Sequence, residues 1–226
     1  SGSVYWIESR AREKGRAVIV RLAPDGSARD VTPQRFNVRT KVHEYGGGAY
    51  TVRDGVTYFS HSGDQRLYIV GAEGRRTFGC GPIGNTESRN ERSEFSPALT
   101  PEGSWRYADM DVDVKRDRVI CVREDHSNPR SVVNELVAIC GGAKEVTVLV
   151  SGADFYSNPR VSQDGSRLCW LAWNLPNMPW DGCGLWSANI RDDGSLGQQM
   201  LIAGGQDEWV FQPEWSPQGE LYFVAE

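Results

Sequence analysis

Short apolar runs separated by turn sequences follow one another along the whole chain. Residues 159–165 (PRVSQDG) precede the apolar run 168–172, and residues 213–219 (PEWSPQG) precede the run 221–224. Both segments read Pro-x-apolar-Ser-x-x-Gly, and each predicts a tight turn followed by a strand. The two copies begin about 50 residues apart, and a period of that length with several short strands in each repeat is typical of a β-propeller.

Looser copies of the same unit lie upstream, at 49–59 around the turn Asp54-Gly55 and at 107–122 around the turn 115–117. Apolar residues with helical spacing are nearly absent, which argues against alternating strands and helices. We therefore predict an all-β fold, a β-propeller of four-stranded blades with about four to five blades present and incomplete at both ends. The predicted blades cover 4–32, 46–100, 107–150, 156–203 and the residues from 211 onward.

We expect residues 1–226 to form a single partial propeller domain. Residues 71–96 break the strand pattern, because they are rich in Gly, Arg, Glu, Ser and Asn and have little periodicity. They predict an exposed loop, with disorder as the alternative. The first and last blades lack strands, and a closed propeller leaves no such edges. The simplest interpretation is a truncated fragment of a longer chain, whose open blade edges would allow self-association.

Composition favours a folded protein with a sizeable apolar core. The chain is 39% hydrophobic with a mean hydropathy of −0.49, and its eight Trp, eight Tyr and seven Phe suit strands, where rings pack across a pleated face. The net charge of −5 argues against a nucleic-acid partner, which requires a basic surface. No apolar stretch approaches the length of a membrane span and no signal-peptide pattern begins the chain, so we expect no membrane partner.

The cysteines and histidines suggest neither disulfides nor a metal site. The chain has five cysteines without a Cys-x-x-Cys pair: Cys80, Cys121, Cys140, Cys169 and Cys183. We expect reduced structural thiols in a reducing compartment, and therefore a cytoplasmic protein. The histidines His43, His61 and His126 lack metal-ligand spacing, so we expect no metal and no other cofactor.

The most distinctive polar cluster is His43-Glu44-Tyr45, which three glycines follow at 46–48. Glycines let a backbone approach a neighbour or a ligand closely, and the His and Glu side chains could contact a peptide in a central tunnel. The alternative is a purely structural lead-in to an inner strand, with the glycines fitting the crowded centre. A second candidate, Glu124-Asp125-His126, could line a substrate path at a blade edge; its alternative is a hydrogen-bonded turn.

Asp109, Asp111 and Asp113 alternate with apolar residues, which in a strand places three carboxylates on one face. A calcium loop would need glycine and glutamate where the chain has Val114 and Ile120, so we expect a solvated or channel-facing acidic face instead.

Five tryptophans in the last third of the chain could form a platform on which a ligand stacks. Their strand-like surroundings favour packing between blades instead. These residues are Trp173, Trp180, Trp186, Trp209 and Trp215.

Several longer segments carry a family resemblance. They are 4–10 (VYWIESR), 42–50 (VHEYGGGAY), 64–68 (DQRLY), 122–126 (VREDH), 134–139 (NELVAI) and 176–182 (PNMPWDG). These segments resemble the propeller of prolyl oligopeptidase family serine peptidases, and the acylaminoacyl-peptidase and dipeptidyl-aminopeptidase-like branch is the most similar. The resemblance extends over essentially all 226 residues.

Members of that family place a propeller before an α/β-hydrolase domain, whose Ser, Asp and His include a Ser on a Gly-x-Ser-x-Gly turn. This sequence has no such turn, so we assign it no catalytic residue and expect it to be inactive alone. The resemblance implies a non-catalytic propeller that gates the access of short peptides to a hydrolase domain, its partner. The candidate gating or binding residues are His43, Glu44, Tyr45, Glu124, Asp125 and His126. The competing hypothesis is a stand-alone propeller that acts as a binding or assembly scaffold.

Overall fold

The structure, a computed structural model, describes residues 2–71, 98–140 and 145–226. These residues form five antiparallel sheets, each built from a continuous stretch of chain. Consecutive sheets of this kind are the blades of a propeller, so the predicted fold class is confirmed. Apart from Gly71, the predicted loop 71–96 lies outside the described residues, as does Cys80.

Strand order within each blade follows chain order. Blade 1 contains β1 (Val4–Arg10), β2 (Arg16–Leu22) and β3 (Ala28–Asp30); blade 2 contains β4 (Tyr50–Arg53), β5 (Val56–Ser60) and β6 (Leu67–Val70). Blade 3 contains β7 (Trp105–Asp113), β8 (Arg118–Asp125), β9 (Val133–Cys140) and β10 (Glu145–Ser151). Blade 4 contains β11 (Phe155–Val161), β12 (Arg167–Trp173), β13 (Gly184–Asn189) and β14 (Met200–Gly204), and blade 5 contains β15 (Val210–Trp215) and β16 (Leu221–Ala225).

The apolar core lies in layers between neighbouring blades rather than within any one sheet. The largest layer joins blades 3 and 4, where Ile120 and Leu136 pack with Tyr156, Leu168 and Trp170. Similar clusters join blades 1 and 2, 2 and 3, and 4 and 5. The middle strands are covered on both faces, which explains why they read as continuous apolar runs such as 168–172. Full burial of each such side chain contributes about 1.5–3 kcal/mol.

The innermost strands of blades 3, 4 and 5 share a β-bulge. The pairing register shifts between Ala108 and Asp111 in β7, and at the matching places in β11 and β15. Each bulge contains one non-glycine residue with a left-handed backbone: Asp109 (φ 53°), Asn158 (φ 50°) and Gln212 (φ 50°). Asn and Asp tolerate this region better than most residues do. A bulge re-aims side chains, and here it directs polar groups toward the neighbouring blade.

Side chains at the bulges connect adjacent blades. Asp109 Oδ2 accepts from Asn158 N at 3.1 Å, and Asp111 Oδ2 accepts from Val161 N at 2.7 Å. One blade further on, Arg160 Nε donates to Glu214 Oε1 at 2.9 Å. The same relative positions therefore carry the polar contacts from blade 3 to blade 4 and from blade 4 to blade 5.

The two ends of the blades differ in their connections. The turns that join the first two strands of blades 3 to 5 lie at one end, called here the turn end, at 114–117, 162–166 and 216–220. Because the strands are antiparallel, the loops 126–132 and 174–183, and the segments that lead from one blade to the next, lie at the opposite loop end.

Asp113 belongs to the turn end, away from the other two aspartates of its strand. Its side chain is 0% exposed and accepts from Arg118 Nε at 2.9 Å and from Arg116 Nη1 at 3.2 Å. Arg116 also donates to the carbonyl oxygen of Gly165 at 2.8 Å and of Arg191 at 3.0 Å, both in blade 4. The expectation of three carboxylates on one open face was therefore wrong for Asp113, because the end of the strand turns this residue into a buried ion pair.

Within the described residues, Cys121, Cys140, Cys169 and Cys183 are free thiols. Burial raises the pKa of Cys169 to about 12, so this thiol stays protonated. No helix in the described stretches is long and apolar enough to cross a membrane.

Candidate functional site

A cavity of about 860 Å³ opens at the inner strands of blades 2 to 5. Its wall combines aromatic rings with charged side chains, most of which have protein partners. The wall includes His43, Tyr45, Asp109, Asp111, Arg160, Trp173, Trp180 and Glu214.

The segment that leads from blade 1 to blade 2 has a strained backbone where it meets this cavity. His43 (φ 56°) and Glu44 (φ 63°) are consecutive non-glycine residues in the left-handed region. Each costs on the order of 1–3 kcal/mol, so the surrounding structure must hold them. Local hydrogen bonds contribute, from Glu44 N to Lys41 O at 3.0 Å and from Gly46 N to Val42 O at 2.8 Å.

Glu124 in blade 3 supplies the long-range support. It is 3% exposed, and its Oε1 accepts the backbone N–H of His43 at 2.6 Å. Its Oε2 lies 2.9 Å from His126 Nε2 and 3.7 Å from Arg106 Nη1. Arg106 also donates to Glu44 Oε1 at 2.6 Å, which lowers the pKa of Glu44. The structure thus brings together the two polar clusters that the sequence singled out separately.

Asp125 does not join this network. It pairs with Trp105 across the strands and accepts the backbone N–H of Ser127 at 2.8 Å, which is a hydrogen-bonded turn. Of the six candidate residues, only His43 and Tyr45 line the cavity. Glu44, Glu124 and His126 do not line the cavity. Their network of contacts supports the backbone that presents His43 and Tyr45.

The His43 ring belongs to an aromatic cluster. Its centroid lies 5.3 Å from Trp173, 5.6 Å from Phe155 and 5.6 Å from Tyr45, and Phe155 stacks on Trp173 at 5.4 Å. Burial lowers the pKa of His43, and the negative charge of Glu124 opposes the shift only in part. His43 is therefore a neutral ring in this cluster, and its Nε2 is buried without a hydrogen-bond partner.

The glycines after Tyr45 allow blade 2 to approach blade 3 closely. A Cβ on Gly48 would lie 2.8 Å from Asp109 Oδ1, and one on Gly47 would lie 3.0 Å from Ala108 Cβ. Asp109 N donates to Gly48 O at 2.8 Å, and Gly48 N donates in return to the Asp109 carboxylate. For the glycines, the geometry supports the structural alternative.

Four charged side chains of the cavity wall, Asp109, Asp111, Arg160 and Glu214, are paired within the protein, whereas Arg53 on the same wall is exposed. Asp111 accepts from Val161 N and Val112 N, and burial raises the pKa of its carboxyl group. Arg160 pairs with Glu214. In contrast, Tyr45 and Trp180 are each 63% exposed. The sequence expectation that Trp180 packs between blades was wrong, because this residue lies on the loop between β12 and β13 and not on a strand.

None of the three histidines, all within the described residues, forms a hydrogen bond with a Ser, Thr or Cys side chain. His126 contacts Glu124, His61 contacts the backbone of Asn37, and His43 contacts the backbone of Tyr156. The described ranges also contain no group of three or more His, Cys, Asp or Glu side chains that could hold a metal ion.

Comparison with known proteins gives a clear relative among solved structures. No protein-family model matches the chain, and no curated protein matches it. A crystal structure of puromycin hydrolase superposes with a TM-score of 0.81 at 30% identity and covers 99% of this chain. A puromycin-hydrolyzing peptidase from Mycobacterium tuberculosis superposes with a TM-score of 0.79 at 29% identity over 100% of this chain. Over its whole length this propeller resembles a part of these two peptidases, in agreement with the resemblance of its sequence to the prolyl oligopeptidase family.

This propeller spans 34% of the length of each of those two peptidases. A third neighbour, a putative TolB from Agrobacterium tumefaciens, has a TM-score of 0.60 at 14% identity and covers 98% of this chain and 69% of its own. At that identity the likeness concerns the fold alone.

Proposed function

We propose that this propeller is the non-catalytic part of a serine peptidase, in which it gates the access of short peptides to an α/β-hydrolase domain. The observation that carries the proposal is the match of nearly the whole chain to about a third of two peptidases, at 30% and 29% identity. The cavity of about 860 Å³ at the inner strands supports the proposal, because a volume of this order can hold a short peptide.

The finer assignment concerns the substrate and the branch of the family. Both of these neighbours are described as hydrolysing puromycin, so puromycin and short peptide amides are the first substrates to test on the full-length product. By sequence resemblance the parent protein is an acylaminoacyl-peptidase or dipeptidyl-aminopeptidase-like enzyme. Its free thiols fit a reducing, cytoplasmic location.

The decisive experiment measures the native gene product and its activity. An antibody against residues 1–226 should detect a product much longer than this chain, and the purified product should cleave short peptide anilides until a serine-directed inhibitor is added. Residues 1–226 alone should cleave none. Turnover by residues 1–226, or a native product without a hydrolase domain, would contradict the proposal.

Gating itself is tested by substrate size. The full-length product should cleave short peptide anilides and leave unfolded casein intact. Equal cleavage of both substrates would show that the propeller does not restrict access, even if the peptidase activity is present.

A second candidate function, an assembly scaffold, rests on the exposed edge of blade 5. Among the described strands β16 pairs only with β15, and Tyr222 and Val224 on it are exposed apolar residues. Edge strands of this kind pair readily with other chains. Light scattering should then show dimers that Val224→Lys disrupts; a monomer at high concentration would rule out assembly through this edge.

A further inference from the structure

Three exposed aromatic side chains stand on the wall of the same cavity: Phe211 on β15, which is 52% exposed, and Tyr45 and Trp180 on connecting segments. Tyr45 comes from the segment that leads into blade 2, and Trp180 comes from the loop between β12 and β13 of blade 4. Tyr45 and Trp180 are each 63% exposed. Isolated exposed rings are unremarkable, but three that converge on one cavity mark a surface that is suited to an apolar ligand.

The backbone that presents Tyr45 is rigid. The two preceding residues are held in the left-handed region by the contact of His43 N with Glu124 and by the contact of Arg106 with Glu44. The Tyr45 ring also continues the aromatic cluster, since its centroid lies 5.6 Å from that of His43. Strain of this type persists where the surrounding structure enforces it, and such positions concentrate at ligand sites.

The loop that presents Trp180 is fixed by a separate set of contacts. Asp181 N donates to Met178 O at 2.9 Å, and Met178 N donates to Asp181 Oδ2 at 2.9 Å. Asn177 Nδ2 donates to Gln206 O at 2.6 Å, and a Cβ on Gly182 would lie 2.1 Å from that same oxygen. The loop therefore packs closely against the 205–207 segment, and its Trp180 lines the cavity.

The charges on this wall disfavour a cationic ligand, since Arg53 on it is exposed and three nearby carboxylates are paired. The carboxylates of Asp109 and Asp111 are occupied by backbone N–H groups, and Glu214 is occupied by Arg160. No unpaired carboxylate among these three is left to select a cation. Aromatic rings prefer other rings at centroid distances of about 4.5–7 Å, in offset or edge-to-face geometry.

We propose that Tyr45 and Trp180 form an aromatic clamp, which selects peptides that carry an aromatic side chain as they enter the cavity. This inference rests on the proposed function in that it takes the cavity to be the route of short peptides. It adds a side-chain preference and assigns it to two residues of the propeller itself. Neither residue takes part in bond breaking, so both act as specificity determinants.

The test uses residues 1–226 and three peptides, acetylated and amidated at their ends: Ala-Phe-Ala, Ala-Leu-Ala and Ala-Ala-Ala. Isothermal titration should show that the Phe peptide binds about threefold to tenfold more tightly than the Leu peptide, since a ring pair adds that much beyond area burial. Tyr45→Ala and Trp180→Ala should each remove the difference between the Phe and Leu peptides. Tyr45→Phe should retain it, because the ring and not the hydroxyl makes the contact.

Tyr222→Ala is the matched control. Tyr222 is 61% exposed, on β16, and does not line the cavity, so its removal should leave the preference unchanged. Circular dichroism and melting curves check that each variant is folded. Equal affinities for the Phe and Leu peptides, absence of peptide binding, or a preference that survives both alanine variants would each overturn the clamp. The proposed gating function is judged separately, by the size selectivity of the full-length product, and can stand if the clamp fails.

Discussion

The turn end and the loop end of blades 3 and 4 are built from the same strands but treat their polar groups differently. At the turn end, the buried carboxylate of Asp113 and the Arg116 side chain link two blades. At the loop end, the buried carboxylate of Glu124 holds a strained backbone, and exposed rings stand beside it. Both ends use one buried acid with arginine neighbours. The turn end exposes the aliphatic side chain of Val114, whereas the loop end exposes the aromatic rings of Tyr45 and Trp180.

The hydrogen bonds at the two ends therefore have different roles. Arg116 donates to carbonyl groups of two blade 4 segments, so its contacts serve the packing of blades. Glu124 receives an N–H from a residue that lines a cavity, so its contact serves the placement of side chains. Stored strain together with exposed aromatic surface is typical of a ligand site. A buried ion pair whose arginine also binds the backbone of the next blade is instead a contact that holds two blades together.

Removal of the Asp113 carboxylate at the turn end should lower the free energy of unfolding more than any other substitution proposed for the two ends. Asp113→Ala leaves the guanidinium groups of Arg116 and Arg118 buried without their carboxylate, which should cost about 3–5 kcal/mol of the free energy of unfolding. Urea denaturation measures the loss. Glu102→Ala is the control, because Glu102 is an exposed partner of Arg66 and should cost less than about 1 kcal/mol. Similar losses in both variants would contradict the scaffold assignment.

Glu124, the buried acid of the loop end, should contribute less than Asp113 to global stability and more to the local order of the backbone around His43. Glu124→Gln keeps the shape of the side chain but removes the charge that faces Arg106 and His126, so we expect a loss of about 1–3 kcal/mol. Hydrogen exchange of the His43 amide should accelerate more than that of core amides in β12. Glu102→Gln, at an exposed carboxylate outside this network, is the matched control. Uniform acceleration throughout the chain would show that Glu124 supports the fold as a whole.

The sequence predicted the blades well because their signals are local. The turns at 162–166 and 216–220 need a left-handed glycine, and Gly165 (φ 69°) and Gly219 (φ 84°) provide it at the predicted positions. The two segments around residues 43 and 124 were each recognised as unusual. Their contact joins residues 81 positions apart, and only the packing of blade 2 against blade 3 creates it.

Other parts of the site could not be predicted from the sequence. The bulge residues Asn158 and Gln212 have different side chains and share only their place in the inner strand. Arg106 is one of many arginines, and its role depends on the position of Glu44 and Glu124 in space. Trp180 resembles the other tryptophans in type, but it lies on the loop between β12 and β13 and not on a strand.

The glycine segment after Tyr45 tests how tightly the loop end is bound to blade 3. Gly48→Ala places a methyl group 2.8 Å from Asp109 Oδ1 and should cost about 1–3 kcal/mol through forced displacement. Gly205→Ala is the control, since nothing lies within 4 Å of its Cβ position, and its effect should stay within about 0.5 kcal/mol. Thermal and urea denaturation of both variants give the comparison. If Gly48→Ala left the free energy of unfolding unchanged, the close approach of blades 2 and 3 would not be required for stability.

The smallest expected effect is a pH dependence at the loop end. Burial lowers the pKa of His43 in the folded state, so below the ordinary histidine value of about 6.5 the unfolded chain binds a proton that the folded chain resists. Stability from this residue is present above that value and declines as the pH falls toward the folded pKa. His43→Asn keeps a residue that tolerates the left-handed backbone and removes the titration. Urea denaturation at pH 7.5 and 5.5 should therefore show a smaller difference for the variant than for the original chain. The same difference in both would mean that the proton is taken up elsewhere, and that the His43 ring is not held neutral by its aromatic surroundings.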